Sequence, residues 1–260
     1  PLIFAGYLFN FSIYFELFLG FITFSLVSSS IYILNGILDI EKDKLHPVKK
    51  YSKPLASNQV NLNKAYYILV SFIILSLILI FLQPKIYLTI ISYIILSLVY
   101  NFGFKNIPYI EIIVLAFGYV LRINFGSNII DVQSSILMLS AIFFLATYFI
   151  LLKRIGEINL KNELVSNNTR YVLQHYNSNI LKIYVLISIL FLLSIIFAYI
   201  LTINFNLIYS FILIIILLIK YFLLTKDSSH GENPISYIIS NKLLLLLTLA
   251  VLLSSLIIYV

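Results

Sequence analysis

The chain has no cysteine, which excludes disulfide scaffolds, thiolate metal centres, iron–sulfur clusters and cysteine nucleophiles. Its six prolines and eight glycines are too few for a collagen-like or low-complexity chain. Charge is scarce as well. Asp, Glu, Lys and Arg make up 10% of the 260 residues, against roughly 25% in soluble globular domains. The three histidines, His46, His175 and His230, are too scattered for a zinc site. There is no GxxxxGK[ST], GxSxG or GxGxxG stretch, which argues against ATP-driven transport within the chain and against a serine hydrolase elbow. What fills the chain is apolar: 62% hydrophobic residues and a mean hydropathy of +1.05. This composition belongs in a bilayer and not in a soluble domain.

Eight apolar segments are long enough to cross one, at residues 12–34, 65–83, 86–104, 107–125, 134–152, 180–203, 205–224 and 243–260. A helix needs about 20 residues to traverse ~30 Å of hydrocarbon. Residues 1–9 read as the tail of one more helix, and because the chain opens on Pro1 and not Met, a preceding piece is expected. The expected fold is an all-α polytopic membrane protein with eight full transmembrane helices plus the tail of a ninth, built as a single domain over 1–260.

The net charge is +7, and its distribution is uneven. Lys42, Lys44, Lys49, Lys50, Lys53 and Lys64 follow the first span; Lys105 lies between the third and fourth; Lys153, Arg154, Lys161, Arg170 and Lys182 follow the fifth; Lys220, Lys226 and Lys242 gather near the end. Only Lys85 and Arg122 fall elsewhere. The positive-inside rule places the basic connections in the cytoplasm. Basic charge of this kind meets lipid head groups or phosphate ligands, with no call for nucleic acid. Asp39, Glu41, Asp43, Glu157, Glu163, Asp227 and Glu232 share that side. Both signs of charge at the ends of apolar helices suggest a site.

Asn35, Asp39 and Asp43 recur every four residues, so a helix sets them along one face. Hard oxygen ligands suit Mg²⁺, which takes one or two carboxylates and completes its shell with water and substrate phosphates. A polar helix end entering water is the plainer reading. The next stretch, His46 to Ser57, is basic and pinned by Pro47 and Pro54, and lysines are point-charge binders of phosphate. Tyr100, Lys105, Glu111 and Arg122 form a third group. Glu111 and Arg122 fall at the edge of or inside a span, where charges are costly and mark candidate functional positions, with structural pairing the plainer reading. Lys153, Arg154 and Glu157 close the fifth span. The chain has 14 lysines and only three arginines, and all three arginines lie in these groups or the loop after them. Their planar fork grips phosphate in a way Lys cannot.

Together these residues resemble the UbiA-type prenyltransferase superfamily, and within it the polyprenyl-phosphate phosphoribosyltransferase branch. The family's first motif, Asn-Asp-x-x-Asp-x-x-x-Asp, falls on Asn35 to Asp43; its His-Pro, lysines and basic-Pro-Leu/Ile-Ala-Ser-Gly on His46 to Asn58; its Lys…Ile-Pro…Asp…Arg on Lys105, Ile107, Pro108, Glu111 and Arg122; its Lys-Arg-x-x-Glu on Lys153 to Glu157. The chain departs from the pattern at Gly36 and Glu111, where Asp is usual, at Asn58, where Gly is usual, and at Asn241, where Asp often occurs. The resemblance implies nine helices around a lipid-accessible cavity capped by the polar motifs. It implies Mg²⁺-dependent transfer of a phosphoribosyl group from 5-phosphoribosyl diphosphate to a polyprenyl phosphate, at the cytoplasmic face of a bacterial inner membrane. Its implied catalytic residues are Asp39, Asp43, Lys105, Glu111 and Arg122. Lys49, Lys50, Lys53, Tyr100, Lys153, Arg154 and Arg170 would bind substrate phosphate. The implied metal set is Asn35, Asp39, Asp43 and Glu157.

Two alternatives stand beside it. A prenyltransferase moving a chain from a prenyl diphosphate to an aromatic or quinone acceptor typically carries a second aspartate pair in the later loop, where this chain has only Glu157 and Glu163. A transporter or non-catalytic scaffold would place acids deeper in several spans.

Overall fold

Apolar runs of this length fold as helices because hydrocarbon offers no partner to a free backbone amide. A computed structural model of the chain describes residues 7, 9–45, 49–164, 171–202 and 207–259. Among them every regular element is helical. In chain order these are α1 (Tyr14–Leu38), α2 (Ile40–Leu45), α3 (Lys49–Ser52), α4 (Leu62–Phe81), α5 (Tyr87–Phe102), α6 (Ile110–Ile129), α7 (Ile136–Leu164), α8 (Ser178–Thr202), α9 (Ile208–Thr225), α10 (Pro234–Ser240) and α11 (Lys242–Tyr259), with short 3₁₀ turns between. Seven helices are long and apolar enough to cross a membrane, and α10 with α11 makes up to eight. The expected tail of a ninth helix falls mostly outside the described residues.

Several buried hydroxyls inside the spans bond to their own helix, which removes the cost of an unpaired polar group. Thr23 donates to the Leu19 carbonyl at 2.8 Å, Ser30 to Leu26 at 2.8 Å and Thr225 to Tyr221 at 2.8 Å. Large apolar side chains such as Phe15, Phe21, Tyr67, Phe81 and Leu88 point outward, which suits lipid and not water. The chain is an integral membrane protein.

Two apolar clusters form the interior. One joins Val27 of α1, Ile90 and Tyr93 of α5 and Phe125 and Ile129 of α6. The other joins Ile112 and Ala116 of α6 to α7, α8, α9 and α11 through Tyr148, Leu152, Leu181, Leu218 and Leu244. The two halves of α6 thus pack into different cores, which makes α6 the shared wall between two lobes.

Two helices run further than the apolar pattern alone indicates. Continuing past residue 34, α1 carries Asn35 on a helix, and α7 continues from 152 to 164 with Lys153, Arg154 and Glu157 on it. At 29 residues α7 is about 44 Å long, more than the hydrocarbon core requires. The last span also differs: α10 and α11 meet at 101°. Asn241 makes the corner, its side chain accepting from the amides of Leu243 and Leu244 at 3.2 Å each.

The turn at Ser229–Glu232 lies directly on α7. A Cβ on Gly156 would sit 2.5 Å from the Glu232 amide nitrogen, and one on Gly231 would sit 2.5 Å from the Leu152 carbonyl oxygen. Backbone meets backbone here, and Asn159 adds a bond from its side-chain amide to the Ser228 carbonyl at 3.0 Å. Gly36 differs, since a Cβ there would meet only the Leu55 side chain at 3.6 Å. Gly156→Ala should therefore lower thermal stability in detergent, at a cost of about 1–3 kcal/mol for overpacking, while Gly36→Ala should leave the melting temperature near wild type. Equal melting curves for the two variants would refute the close packing at Gly156.

Candidate active site at one end of the bundle

The helix ends that carry the polar motifs converge. Asp39 interrupts the α1–α2 rod only locally: its amide donates to the Asn35 carbonyl at 3.0 Å, and the Asp43 amide donates to the Asp39 carbonyl at 2.9 Å. The helical bonding register continues through the break, so Asn35, Asp39 and Asp43 do share one face. Lys105, on the turn Phe104–Asn106 after α5, closes on that face. Its ammonium donates to both Asp39 oxygens at 2.8 and 3.0 Å and to the Asn35 side-chain oxygen at 3.4 Å. The two charged side chains are 15% and 21% exposed.

A second polar centre lies between α6, α7 and the residues before α8. Arg154 donates from Nε to Glu111 Oε1 at 2.6 Å and from Nη2 to Glu111 Oε2 at 2.9 Å. Its Nη1 donates to Glu157 at 2.7 Å. The Tyr176 hydroxyl donates to Glu111 Oε1 at 3.0 Å and accepts the Tyr109 amide at 3.1 Å. Burial and the neighbouring Glu111 carboxylate push the Tyr176 phenol up, so it stays a donor. Arg154 is 1% exposed and Glu111 fully buried. Tyr109 takes φ 64°, a strained value for a side-chain-bearing residue, and its ring is held edge-on by Tyr176 and Tyr184. Glu111 also sits in the first turn of α6, where the helix dipole favours an anion.

Beside the first centre, sharing Asn35 with it, opens a cavity of about 140 Å³, walled by Tyr32 and Asn35 of α1, Tyr93 and Tyr100 of α5, and Tyr119 and Arg122 of α6. Arg122 donates to the Tyr93 hydroxyl at 3.1 Å and lies against the Tyr93 and Tyr119 rings at 5.7 and 5.2 Å. Among the described residues it makes no ion pair, and its buried Nε has no partner. An arginine at mid-helix in a membrane costs about 2.5–3.5 kcal/mol on insertion scales. Two aromatic faces return about 0.5–2 kcal/mol each, and the Tyr93 hydroxyl adds a bond. The unpartnered Nε is the donor that an anion in the cavity would meet.

A larger cavity, about 400 Å³, lies between α7, α8, α9 and α11. It is lined almost wholly by apolar side chains and shares no residue with the Arg122 cavity.

The other expected phosphate binders divide. Lys50 lies over the Tyr51 ring at 4.7 Å, and Lys53 is exposed. Lys49 lies on α3, but its side chain is outside the described residues, as is the whole of Arg170. Tyr100 lines the Arg122 cavity, and Lys153 is half-buried on α7. Glu157 is joined to Arg154, and among the described residues no three acidic or histidine side chains form a ready-made metal cluster. Lys182 is drawn to Asp227 at 2.6 Å and holds its carboxyl below the usual range. Glu111 pairs with Arg154 of the next helix and not with Arg122 of its own. Sequence reasoning did not single out Tyr32, Tyr93, Tyr109 or Tyr119 for the site. The one available signal was the three-residue spacing of Tyr119 and Arg122 on one helix.

The model of the UbiA prenyltransferase family matches residues 1–246. The chain belongs to that family. Among UbiA-family relatives, a decaprenyl-phosphate phosphoribosyltransferase from Corynebacterium glutamicum is 28% identical over 181 residues, 68% of this chain and 54% of that protein. One from Mycobacterium tuberculosis is 28% identical over 165 residues, 63% of this chain and 54% of its own length. The chain thus spans about half the length of the curated relatives it matches. Among solved structures, a UbiA homolog from Archaeoglobus fulgidus bound to GPP and Mg²⁺ superposes with a TM-score of 0.69 at 18% identity, covering 94% of this chain and 87% of that one. Its form bound to DMAPP and Mg²⁺ gives 0.64 at 16%, with the same coverage.

The departures from the UbiA pattern have local reasons. Asn58 adopts φ 59°, the left-handed region where glycine is at ease and Asn is the best-tolerated substitute. Asn241 serves as the N-terminal cap of α11, a position where Asn and Asp are equivalent. Gly36 has room for a side chain, so no packing constraint requires the glycine. Glu111, one methylene longer than Asp, reaches the Arg154 fork with both oxygens.

Because Arg154 is dry and held by carboxylates, removing one leaves a buried charge unpaired. Glu111→Ala should destabilise the protein by about 3–5 kcal/mol, read as a lowered melting temperature. A melting temperature within error of wild type would show that Glu111 does not carry this joint.

Proposed function

We propose that the chain is a Mg²⁺-dependent membrane transferase that moves a phosphoribosyl group from 5-phosphoribosyl diphosphate to a polyprenyl phosphate. The observation that carries the reading is the adjacency of two unlike polar features. A carboxylate face (Asn35, Asp39, Asp43) meets a lysine, and beside it Arg122 stands in an aromatic cavity without a counter-ion. The names of the Corynebacterium and Mycobacterium relatives support it.

The donor set fits the metal. Asn35, Asp39 and Asp43 supply hard oxygens on one face, and the Lys105 ammonium already stands against Asp39 as a cation. The absence of a third acid or histidine among the described residues suits Mg²⁺, which takes few carboxylates and fills its shell from diphosphate and water. Bound there, the ion would supply Lewis-acid neutralisation of the leaving pyrophosphate. Asp39 and Asp43 would hold the donor diphosphate through it, with Lys50 and Lys53 nearby on α3 and its loop. Arg122 would hold the acceptor phosphate, whose oxygen is already anionic and needs no strong base to attack the ribose carbon. The apolar cavity between α7, α8, α9 and α11 offers space of the kind a polyprenyl chain occupies. The membrane would be a bacterial inner membrane, with this end of the bundle facing the cytoplasm, where 5-phosphoribosyl diphosphate is water-soluble and available. Neither substrate requires nucleic acid.

A second reading, prenyl transfer to an aromatic acceptor, draws on the likeness to a UbiA homolog bound to GPP or DMAPP. It is the weaker one, because Glu157 is spent on Arg154 and leaves α7 without a second carboxylate pair. The deciding assay supplies membranes holding the protein with Mg²⁺, short polyprenyl phosphate and radiolabelled 5-phosphoribosyl diphosphate, beside a parallel assay with prenyl diphosphate and an aromatic acid. Label entering the lipid phase only from phosphoribosyl diphosphate is the expected result, and Asp39→Asn should abolish it while the protein stays folded. Label on the aromatic acid alone would establish the second reading. Arg122→Lys keeps the charge but loses the fork, and should lower kcat/KM by at least about tenfold; wild-type kinetics would return Arg122 to a packing role.

A further inference from the structure

Lys105 occupies an awkward place for a residue beside a metal site. Both Asp39 oxygens are engaged by its single ammonium, at 2.8 and 3.0 Å, and Asn35 is drawn in at 3.4 Å. Two of the three oxygen-bearing side chains on the candidate metal face are therefore already satisfied. A dication approaching this carboxylate meets a neutralised anion and a fixed positive charge within a few ångströms. The pair is largely shielded from water, at 15% and 21% exposure, so that repulsion is weakly screened. Metal alone is a poor competitor here.

A diphosphate changes the balance, because it offers the ammonium a new anionic partner. The lysine stem is flexible and its head a compact point charge with three donors, so Lys105 can pass from carboxylate to phosphate without moving its turn. An arginine fork seated on both Asp39 oxygens would be harder to release.

We propose that Lys105 is the resting counter-ion of Asp39 and that its transfer to the donor diphosphate couples metal binding to diphosphate binding. The inference rests on the metal–diphosphate reading of this site and adds an order to it: neither ligand binds well until both are present. At rest Lys105 acts through Asp39, and with the diphosphate bound it contacts that ligand directly. Its exchange is reciprocal, since any coupling that helps the metal helps the diphosphate equally.

The test is a Mn²⁺ titration of the purified full chain in detergent, read by electron paramagnetic resonance of free Mn²⁺, with and without inorganic pyrophosphate. In wild type, pyrophosphate should tighten Mn²⁺ binding by about tenfold or more, within the usual range of coupling between sites. In Lys105→Gln, Mn²⁺ alone should bind more tightly than in wild type and the gain from pyrophosphate should fall below about threefold. Melting curves confirm that the variant is folded. If it is not, Asp39→Asn carries the test: it frees Lys105, so pyrophosphate alone should bind more tightly than to wild type while Mn²⁺ binding is lost. Equal Mn²⁺ affinity with and without pyrophosphate in wild type would overturn the proposal, as would undiminished coupling in Lys105→Gln. Those results leave the metal–diphosphate site standing. Failure of wild type to bind Mn²⁺ even with pyrophosphate would sink both.

Discussion

The joint on which the rest depends is the buried fork of Arg154 on Glu111. It fixes the start of α6 against the polar C-terminal end of α7 with two short charge-assisted bonds, and α6 is the wall shared by both apolar cores. Such a pair returns little net stability once desolvation is counted, but breaking it is expensive. Its value is geometric. It sets the height at which α6 enters the bundle, and hence the height of Arg122, about 16 Å further along the same helix by rise per residue.

The cations therefore divide into those committed to protein carboxylates and those left to face a ligand. Arg154 is committed to Glu111 and Glu157. Lys182 is bonded to Asp227, and Lys44 to Glu41. Lys85 is paired with Asp131 at the far end of the bundle. Arg122 has tyrosines where others have acids, and Lys105 holds Asp39, one of the carboxylates that the sequence marks as metal ligands. Among the described residues Arg122 is the cation that lines the small cavity, and it makes no ion pair there.

Much of this was legible in the chain. The spans were readable because lipid demands long uniform apolar runs, and the Asn35, Asp39, Asp43 face because a four-residue spacing survives the small break at Asp39. Long-range pairings were not readable. Glu111 has an arginine eleven residues on in its own helix, and nothing local says that the partner is Arg154 instead. The tyrosine wall around Arg122 was hidden for a different reason: with 20 tyrosines in the chain, composition does not mark the few that share a cavity. The corner at Asn241 escaped notice because α10 is only seven residues of mixed character, too short for periodicity to register. The departures from the family pattern gained meaning only with backbone angles and caps in hand, as Asn58 and Asn241 show.

The Arg154–Glu111 joint also has a consequence for how the protein is made. Glu111 leaves the ribosome 43 residues before its partner. At about 5–20 residues per second, that separation lasts about 2–9 seconds. Throughout that interval the growing first lobe carries a carboxylate whose arginine partner has not yet been made. The start of α6 therefore stays hydrated near the head groups until α7 arrives. Membrane insertion of this chain is thus not a simple succession of independent spans: the seating of α6 is finished only by the helix that follows it.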